Sequence, residues 1–306
     1  MPVPKCVYFK GKFVPYEEAK VGVMTHALNY GTAVFGGIRG YWNDEEGQLF
    51  LFRPSEHYRR FLSSAKIMVM DVGQTPQSMV DLTIELLRIE GHRRDVYIRP
   101  LAYKADEIIG VKLHGLTDEL TVFAVPFERY VNNDTNAHVT ISSWRRLDDN
   151  AIPARGKISG AYANSALIKT DAVRAGFDEA LVLNNDGHIS EGSAMNIFMI
   201  REGKVYTPPV TENILEGITR RSVIELLGNE MGLEVEERPI DRTEVFLCDE
   251  FFMTGTAAQV TAVTRIDFRT IGSGQMGETT AGLRKLFDEV VRGRRPAYRK
   301  WNVPVF

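Results

Sequence analysis

The chain has 306 residues, of which 44% are hydrophobic and 25% charged, with a formal net charge of −3. That length allows one large domain or two ordinary ones, and the near-neutral balance offers no basic footprint for nucleic acid or an anionic membrane. No apolar run approaches the ~18–20 residues of a membrane helix. The opening Met-Pro-Val-Pro-Lys lacks the apolar core of a signal peptide, and Cys6 and Cys248 are too few for a disulfide framework, so a cytoplasmic location is expected. The histidines are scattered, without metal-ligand spacing, so no metal is expected.

Taken in order, residues 7–14 read as a tight hairpin turning at Lys10-Gly11. Strands are expected at 38–42 and 49–52, around the polar loop Asn43 to Gly47. Pro54-Ser55 opens a helix reaching about Met68, with Tyr58, Phe61, Leu62 and Ala65 on one face. Thr75-Pro76 opens another, with Met79, Leu82, Thr83, Leu86 and Ile89 inward and Gly91 as its stop. Strands follow at Val96–Tyr103 and Leu120–Pro126, so the first half is α+β.

The polar segment 128–136 is the linker candidate, dividing a domain at 1–127 from one at 137–306. Beyond it, strands are expected at Val139–Ser143, Ala180–Asn184, Asn196–Ile200, Lys204–Tyr206, Glu250–Thr254 and Ala262–Ile266. Helices are expected at Ser165–Ala175, Thr219–Met231 and Thr280–Val291, the first two stopped by Gly176 and Gly232.

Lys157 lies in Ala154-Arg155-Gly156-Lys157-Ile158-Ser159-Gly160-Ala161-Tyr162, and Glu191 lies in Ile189-Ser190-Glu191-Gly192. A lysine flanked by small residues is ordinarily a solvated loop charge. With Tyr162 and Glu191, however, it supplies what a pyridoxal phosphate (PLP) site needs: an amine for the aldehyde and an anion for the ring nitrogen. Such a lysine must lose its proton before it attacks, which burial favours.

Three further runs bear on ligands. In Leu215-Glu216-Gly217-Ile218-Thr219-Arg220 a glycine turn meets a helix start, where free N–H groups favour phosphate; Thr219 is alternatively a plain N-cap. In Thr254-Gly255-Thr256-Ala257-Ala258, small residues allow close backbone approach, with Thr256 for phosphate and the Ala257 and Ala258 N–H groups for a carboxylate. Gly272-Ser273-Gly274-Gln275-Met276-Gly277 matches a dinucleotide fingerprint, but too little chain follows it for the βαβ unit that fingerprint requires, so it reads as a hairpin loop.

Together with His26-Ala27-Leu28-Asn29-Tyr30-Gly31-Thr32-Ala33-Val34-Phe35-Gly36-Gly37-Ile38-Arg39, these runs resemble the fold-type IV PLP enzymes, most closely the branched-chain amino acid aminotransferases. The resemblance implies a smaller N-terminal α/β domain and a larger C-terminal domain with a β-barrel-like sheet core. It implies PLP as cofactor, transamination of leucine, isoleucine or valine with 2-oxoglutarate, and a homodimer. Lys157 would bond the cofactor and move the substrate proton. Glu191 would meet the ring nitrogen, Tyr162 the phenolate oxygen, and Arg60, Ile218, Thr219 and Thr256 the phosphate; Arg59 competes with Arg60. Phe35, Gly37, Tyr97, Tyr130 and Val111 would line the substrate pocket, and Arg99 would receive a carboxylate with Arg39 supporting it. Ala257 and Ala258 complete the substrate set, and Tyr30 and the 109–111 loop would reach the neighbouring subunit's site.

The family pattern Phe-Glu-Gly-Ile-Arg is broken here by Gly36, which leaves the region more positive and suggests a wider amine scope. Rival readings are an (R)-amine or D-amino acid transaminase or an aminodeoxychorismate lyase of the same fold, a non-catalytic PLP-binding protein, and a nucleotide-dependent dehydrogenase.

Overall fold

The structure, a computed structural model, describes residues 3–127 and 133–306. Its strands in chain order are β1 (Cys6–Phe9), β2 (Lys12–Pro15), β3 (Ala33–Phe35), β4 (Ile38–Asn43), β5 (Gln48–Phe52), β6 (Val96–Lys104), β7 (Asp118–Pro126), β8 (Ala137–Arg145) and β9 (Glu179–Leu183). They continue as β10 (Ile189–Gly192), β11 (Asn196–Arg201), β12 (Lys204–Thr207), β13 (Val235–Glu237), β14 (Glu250–Gly255), β15 (Gln259–Ile266), β16 (Arg269–Thr270) and β17 (Asn302–Pro304). The helices are α1 (His26–Tyr30), α2 (Pro54–Ile67), α3 (Pro76–Glu90), α4 (Tyr162–Arg174), α5 (Ile218–Met231) and α6 (Glu278–Val291).

The chain divides into two compact units. The first holds Met1–Glu128, Gly156–Ala161 and Glu289–Phe306; the second holds Arg129–Arg155 and Tyr162–Asp288. The sequence reading assigns everything beyond 136 to the second domain. Two returning stretches depart from that division, and both are held by sheet pairing: β17 lies antiparallel on β5, and Ile158 bridges Val34.

In the first unit the strand order is β17-β5-β4-β6-β7-β1-β2, with β3 on β6, all antiparallel. The β1–β2 turn is the expected two-residue one, with Lys10 (φ 49°) and Gly11 (φ 87°) both left-handed. Along β6, Val96, Ile98, Pro100 and Ala102 are buried, while Tyr97, Arg99 and Leu101 alternate onto the opposite, half-buried face. Helices α2 and α3 bury Tyr58, Phe61, Met79 and Leu86 as the 3.6-residue period predicts. Ile89, expected inward, is 46% exposed. Val80, Leu87 and Glu90 are buried beside the expected Met79, Thr83 and Leu86, so the buried stripe widens toward their side of the helix and leaves Ile89 out. Thr75 and Ser78 form a capping box at the start of α3.

In the second unit the order is β10-β9-β8-β15-β14-β11-β12-β13, with β16 on β15. The pairs β8–β9, β8–β15 and β12–β13 are parallel. Its core packs Val139, Leu181, Ile197, Phe251, Met253 and Val263 with Met195 and Ala258. Helix α4 starts at Tyr162, three residues before the predicted start. Among the described residues no helix is long and apolar enough to cross a membrane.

Candidate active site

In the first unit the lysine segment is held on two sides. Phe35 N–H donates to the Lys157 carbonyl (3.0 Å), and Lys157 N–H donates to Ser64 Oγ (3.1 Å) on α2. Gly160 N–H donates to the Gly31 carbonyl, and a Cβ on Gly31 would lie 2.7 Å from the Gly160 Cα, so the two chains pass at a distance that glycine allows. Ser64 Oγ–H in turn donates to the Arg60 carbonyl one turn back.

The Lys157 amine stands 5.0 Å from the Phe35 ring centre, and the Arg99 guanidinium stands 4.5 Å from the same ring. Cross-strand register explains the grouping: Phe35 faces Leu101, and Arg39 faces Tyr97, which puts these side chains on the face of β6 that carries Arg99. Arg99 donates to Tyr97 Oη (3.0 Å), and Tyr97 covers Gly37 so closely that a Cβ there would strike the phenol. Phe35, Gly37, Tyr97, Arg99 and Lys157 are therefore brought together.

Arg39 is only 2% exposed. It donates to the Phe127 carbonyl (3.0 Å), lies 3.7 Å from Asp95, and covers the Tyr41 and Phe127 rings. It is built into the wall. Arg60 is half-buried, whereas Arg59 is exposed. Tyr30 Oη accepts from Gly110 N–H (3.1 Å), and His26 joins its ring to the Gly110 carbonyl (2.7 Å), so the 109–111 loop is tied to α1. Val111 itself is 76% exposed. Tyr130 lies outside the described residues.

His57, buried on α2, is absent from the sequence-derived site. Burial first, then the charges of Arg60, Lys157 and Arg53, hold its imidazole well below the usual histidine range, so it is neutral at neutral pH. The 57, 60, 64 spacing of one helix face carries the signal, of which the sequence analysis takes up Arg60 alone.

In the second unit Glu191 is 3% exposed. Its Oε1 lies 2.6 Å from Arg146, and its Oε2 accepts from Asn196 Nδ2 (2.9 Å) and Leu215 N–H (3.2 Å). Asn196 also donates to the Leu215 carbonyl (2.9 Å), stitching Glu191 to the turn that opens α5. The N-cap of α5 is Gly217, not Thr219, and no side chain caps it. Ile218, Thr219 and Arg220 are nonetheless buried. A buried helix start without a capping side chain is the kind that an anion satisfies.

The turn Thr256–Ala258 follows β14, whose Thr254 pairs with Asn196 of β11. Glu191, Asn196, Gly217, Ile218, Thr219, Thr256, Ala257 and Ala258 thus gather at one end of the second sheet, and Tyr162 opens α4 in the same unit. Asn196 and Arg146 are not foreseen from sequence, since an asparagine and an arginine on or beside strands carry no local signature.

The start of α6, after the glycine-rich 272–277 run, is already satisfied. Glu250 accepts from Thr279 N–H, Thr280 N–H and the Thr280 hydroxyl. Its carboxylate occupies the place a nucleotide phosphate would need, so the dinucleotide match is a packing motif.

These two clusters and the two sheets that carry them belong to a known class. The amino-transferase class IV family model matches residues 33–266, and the chain belongs to that family. Within it, the chain is 48% identical over 299 residues, 98% of its length and 96% of the relative's, to a probable branched-chain-amino-acid aminotransferase of Aquifex aeolicus. A branched-chain aminotransferase of Thermoproteus uzoniensis, crystallised with norvaline, superposes with TM-score 0.95 at 38% identity over 99% of this chain and 100% of that one. The T.th. branched-chain amino acid aminotransferase, complexed with N-(5'-phosphopyridoxyl)-L-glutamate, superposes with TM-score 0.93 at 40% identity over 99% of both chains. The mixed α/β, fold-type IV expectation is met, and the protein is an aminotransferase.

Proposed function

We propose that the chain is a PLP-dependent aminotransferase of branched-chain L-amino acids, with 2-oxoglutarate as the amino acceptor. The observation that carries this reading is the uncapped, buried start of α5 beside a buried carboxylate. A phosphate dianion suits the first and a protonated ring nitrogen the second. On the first unit Lys157 supplies an amine and Arg60 a cation, with His57 kept neutral by burial and by their charges.

PLP, when bound, supplies the electron sink for the substrate carbanion. The residues of this chain do the rest. Lys157 would hold the cofactor through its amine and would move the proton at the substrate Cα. Glu191 would hold the ring nitrogen and Tyr162 the phenolate oxygen. On the second unit Ile218, Thr219 and Thr256 would hold the phosphate, the role also proposed for Arg60 of the first. Phe35 and Gly37 give an apolar wall for a branched side chain, and Arg99, braced by Tyr97, gives the cation for a carboxylate. Arg39, held by Asp95 and the Phe127 carbonyl, would support that wall from its side of the sheet. Ala257 and Ala258 offer N–H groups to the α-carboxylate.

The T. uzoniensis and T.th. complexes, with norvaline and a glutamate adduct, support an aliphatic donor and the glutamate/2-oxoglutarate pair. Residues flanking Tyr30 and Gly110 support a homodimer. Val23, Leu28, Ile109 and Val111 are 83%, 63%, 77% and 76% exposed on segments already bonded to one another.

Gly36 widens the scope to simple (R)-amines. A Cβ at that position would lie 2.6 Å from Pro100 Cγ, so the family's glutamate would require Pro100 to shift. Steady-state assay of L-leucine, D-leucine and (R)-1-phenylethylamine with 2-oxoglutarate tests both points. L-leucine is expected to be the best donor, with measurable (R)-amine turnover; D-leucine as the only donor would place the chain among D-amino acid enzymes.

A further inference from the structure

We infer that Arg146 is a positioning residue for this site: it occupies the same oxygen of Glu191 that the cofactor's ring nitrogen must approach, and its charge sets how strongly that nitrogen is held. The inference rests on the reading of Glu191 as the ring-nitrogen partner.

The two oxygens of the Glu191 carboxylate are not equivalent. Oε2 already accepts two donors, Asn196 Nδ2 at 2.9 Å and Leu215 N–H at 3.2 Å. A carboxylate oxygen takes about two donors. A further donor therefore comes to Oε1, and Oε1 lies 2.6 Å from an Arg146 terminal nitrogen.

Arg146 is fixed in that place. Its N–H donates to the Leu183 carbonyl (2.9 Å), and its Nε donates to the Asn213 carbonyl (3.0 Å). Its side chain is 14% exposed and that of Glu191 3%, so the pair sits where water screens little. The acids on neighbouring segments are engaged elsewhere: Asp148 accepts from Asn185 and Asn213, and Glu212 accepts from Asn184. The guanidinium thus divides the Glu191 charge between itself and any ring N–H. Without it, the full carboxylate charge would act on the cofactor and raise the proton affinity of the bonded Lys157 nitrogen.

The test compares purified holoenzymes. Arg146→Met is expected to move the pH midpoint of the visible cofactor band upward by about one unit and to speed cofactor loss on dilution. Arg146→Lys, which keeps the charge, is expected to hold the midpoint at the wild-type value while releasing cofactor faster, because the fork is lost. Arg174→Met removes a charge from the exposed end of α4 and is expected to change neither. A merely structural arginine would lower the melting temperature and leave the midpoint in place, and that result overturns the inference. Equal midpoint shifts in the Met and Lys variants would overturn it too. If Arg146→Met does not accumulate in soluble form, Arg146→Gln takes its place with the same expected shift. A wild-type protein that shows no visible band with added PLP would remove the cofactor reading itself, and this inference with it; a band in the wild type with an unmoved midpoint removes this inference alone.

Discussion

Glu191 and His57 are both buried and ionisable, yet they respond to their surroundings in opposite ways. Glu191 is matched by a cation, so deleting it leaves the half-buried Arg146 without that anion. Glu191→Ala is expected to cost about 3–5 kcal/mol of unfolding free energy in the apoprotein, measured in urea, as well as nearly all turnover. Wild-type stability and turnover in that variant would contradict its assignment. His57 is surrounded by cations, and burial with those charges lowers its folded-state pKa. Above the unfolded pKa of about 6.5, both states are neutral and its titration contributes nothing. As pH falls below that value the unfolded chain takes the proton and the folded one does not, so stability is lost at up to about 1.4 kcal/mol per pH unit. Unfolding measured below about pH 6.5 should show that slope, and His57→Gln should flatten it. An identical slope in the variant would exclude His57 as its source. Lys157, Tyr162 and Glu191 were singled out from the sequence because each stands in a distinctive run. His57, Ser64, Arg146 and Asn196 were not, because their meaning comes from what long-range pairing places beside them.

Among the elements, α5 does most to define the second unit's site. Its start carries no side-chain cap, and Gly217 is there because a Cβ would meet the Asn196 side-chain oxygen. Gly217→Ala should displace that amide, which holds both Glu191 and the Leu215 carbonyl. The expected result is a loss of about 1–3 kcal/mol in stability and weaker PLP binding, read by urea unfolding and by titration of the apoprotein. Equal stability and affinity would mean that the close approach is not limiting. The sequence offered Thr219 as the alternative cap; the helix begins one residue before the expected Thr219, at Ile218, and that makes Gly217 the capping residue. The long helices α2, α3, α5 and α6 were legible through their period, and α3 and α5 also through the glycines that stop them. The strand β3, three residues long, and β17, paired with a strand some 250 positions earlier, were not, because neither is long enough to show a period.

At the scale of the molecule, the chain closes its first unit with its own C-terminal residues, a pairing that no local pattern announces. The exposed aliphatic residues near α1 and the 109–111 loop should be covered by a second copy. Leu28→Asp with Ile109→Asp is expected to convert a dimer to a monomer in sedimentation velocity, with loss of activity; a variant that remains dimeric would place the interface elsewhere.

Everything proposed for the site depends on Lys157 carrying PLP and passing amino groups from branched-chain L-amino acids to a 2-oxo acid. The most direct test is an absorbance titration of the purified protein with PLP, followed by L-leucine and then 2-oxoglutarate. The wild-type protein should show a visible band that L-leucine bleaches and 2-oxoglutarate restores, and Lys157→Ala should show neither that band nor turnover. A wild-type protein with no visible band, or a Lys157→Ala variant that keeps both band and turnover, would contradict the account.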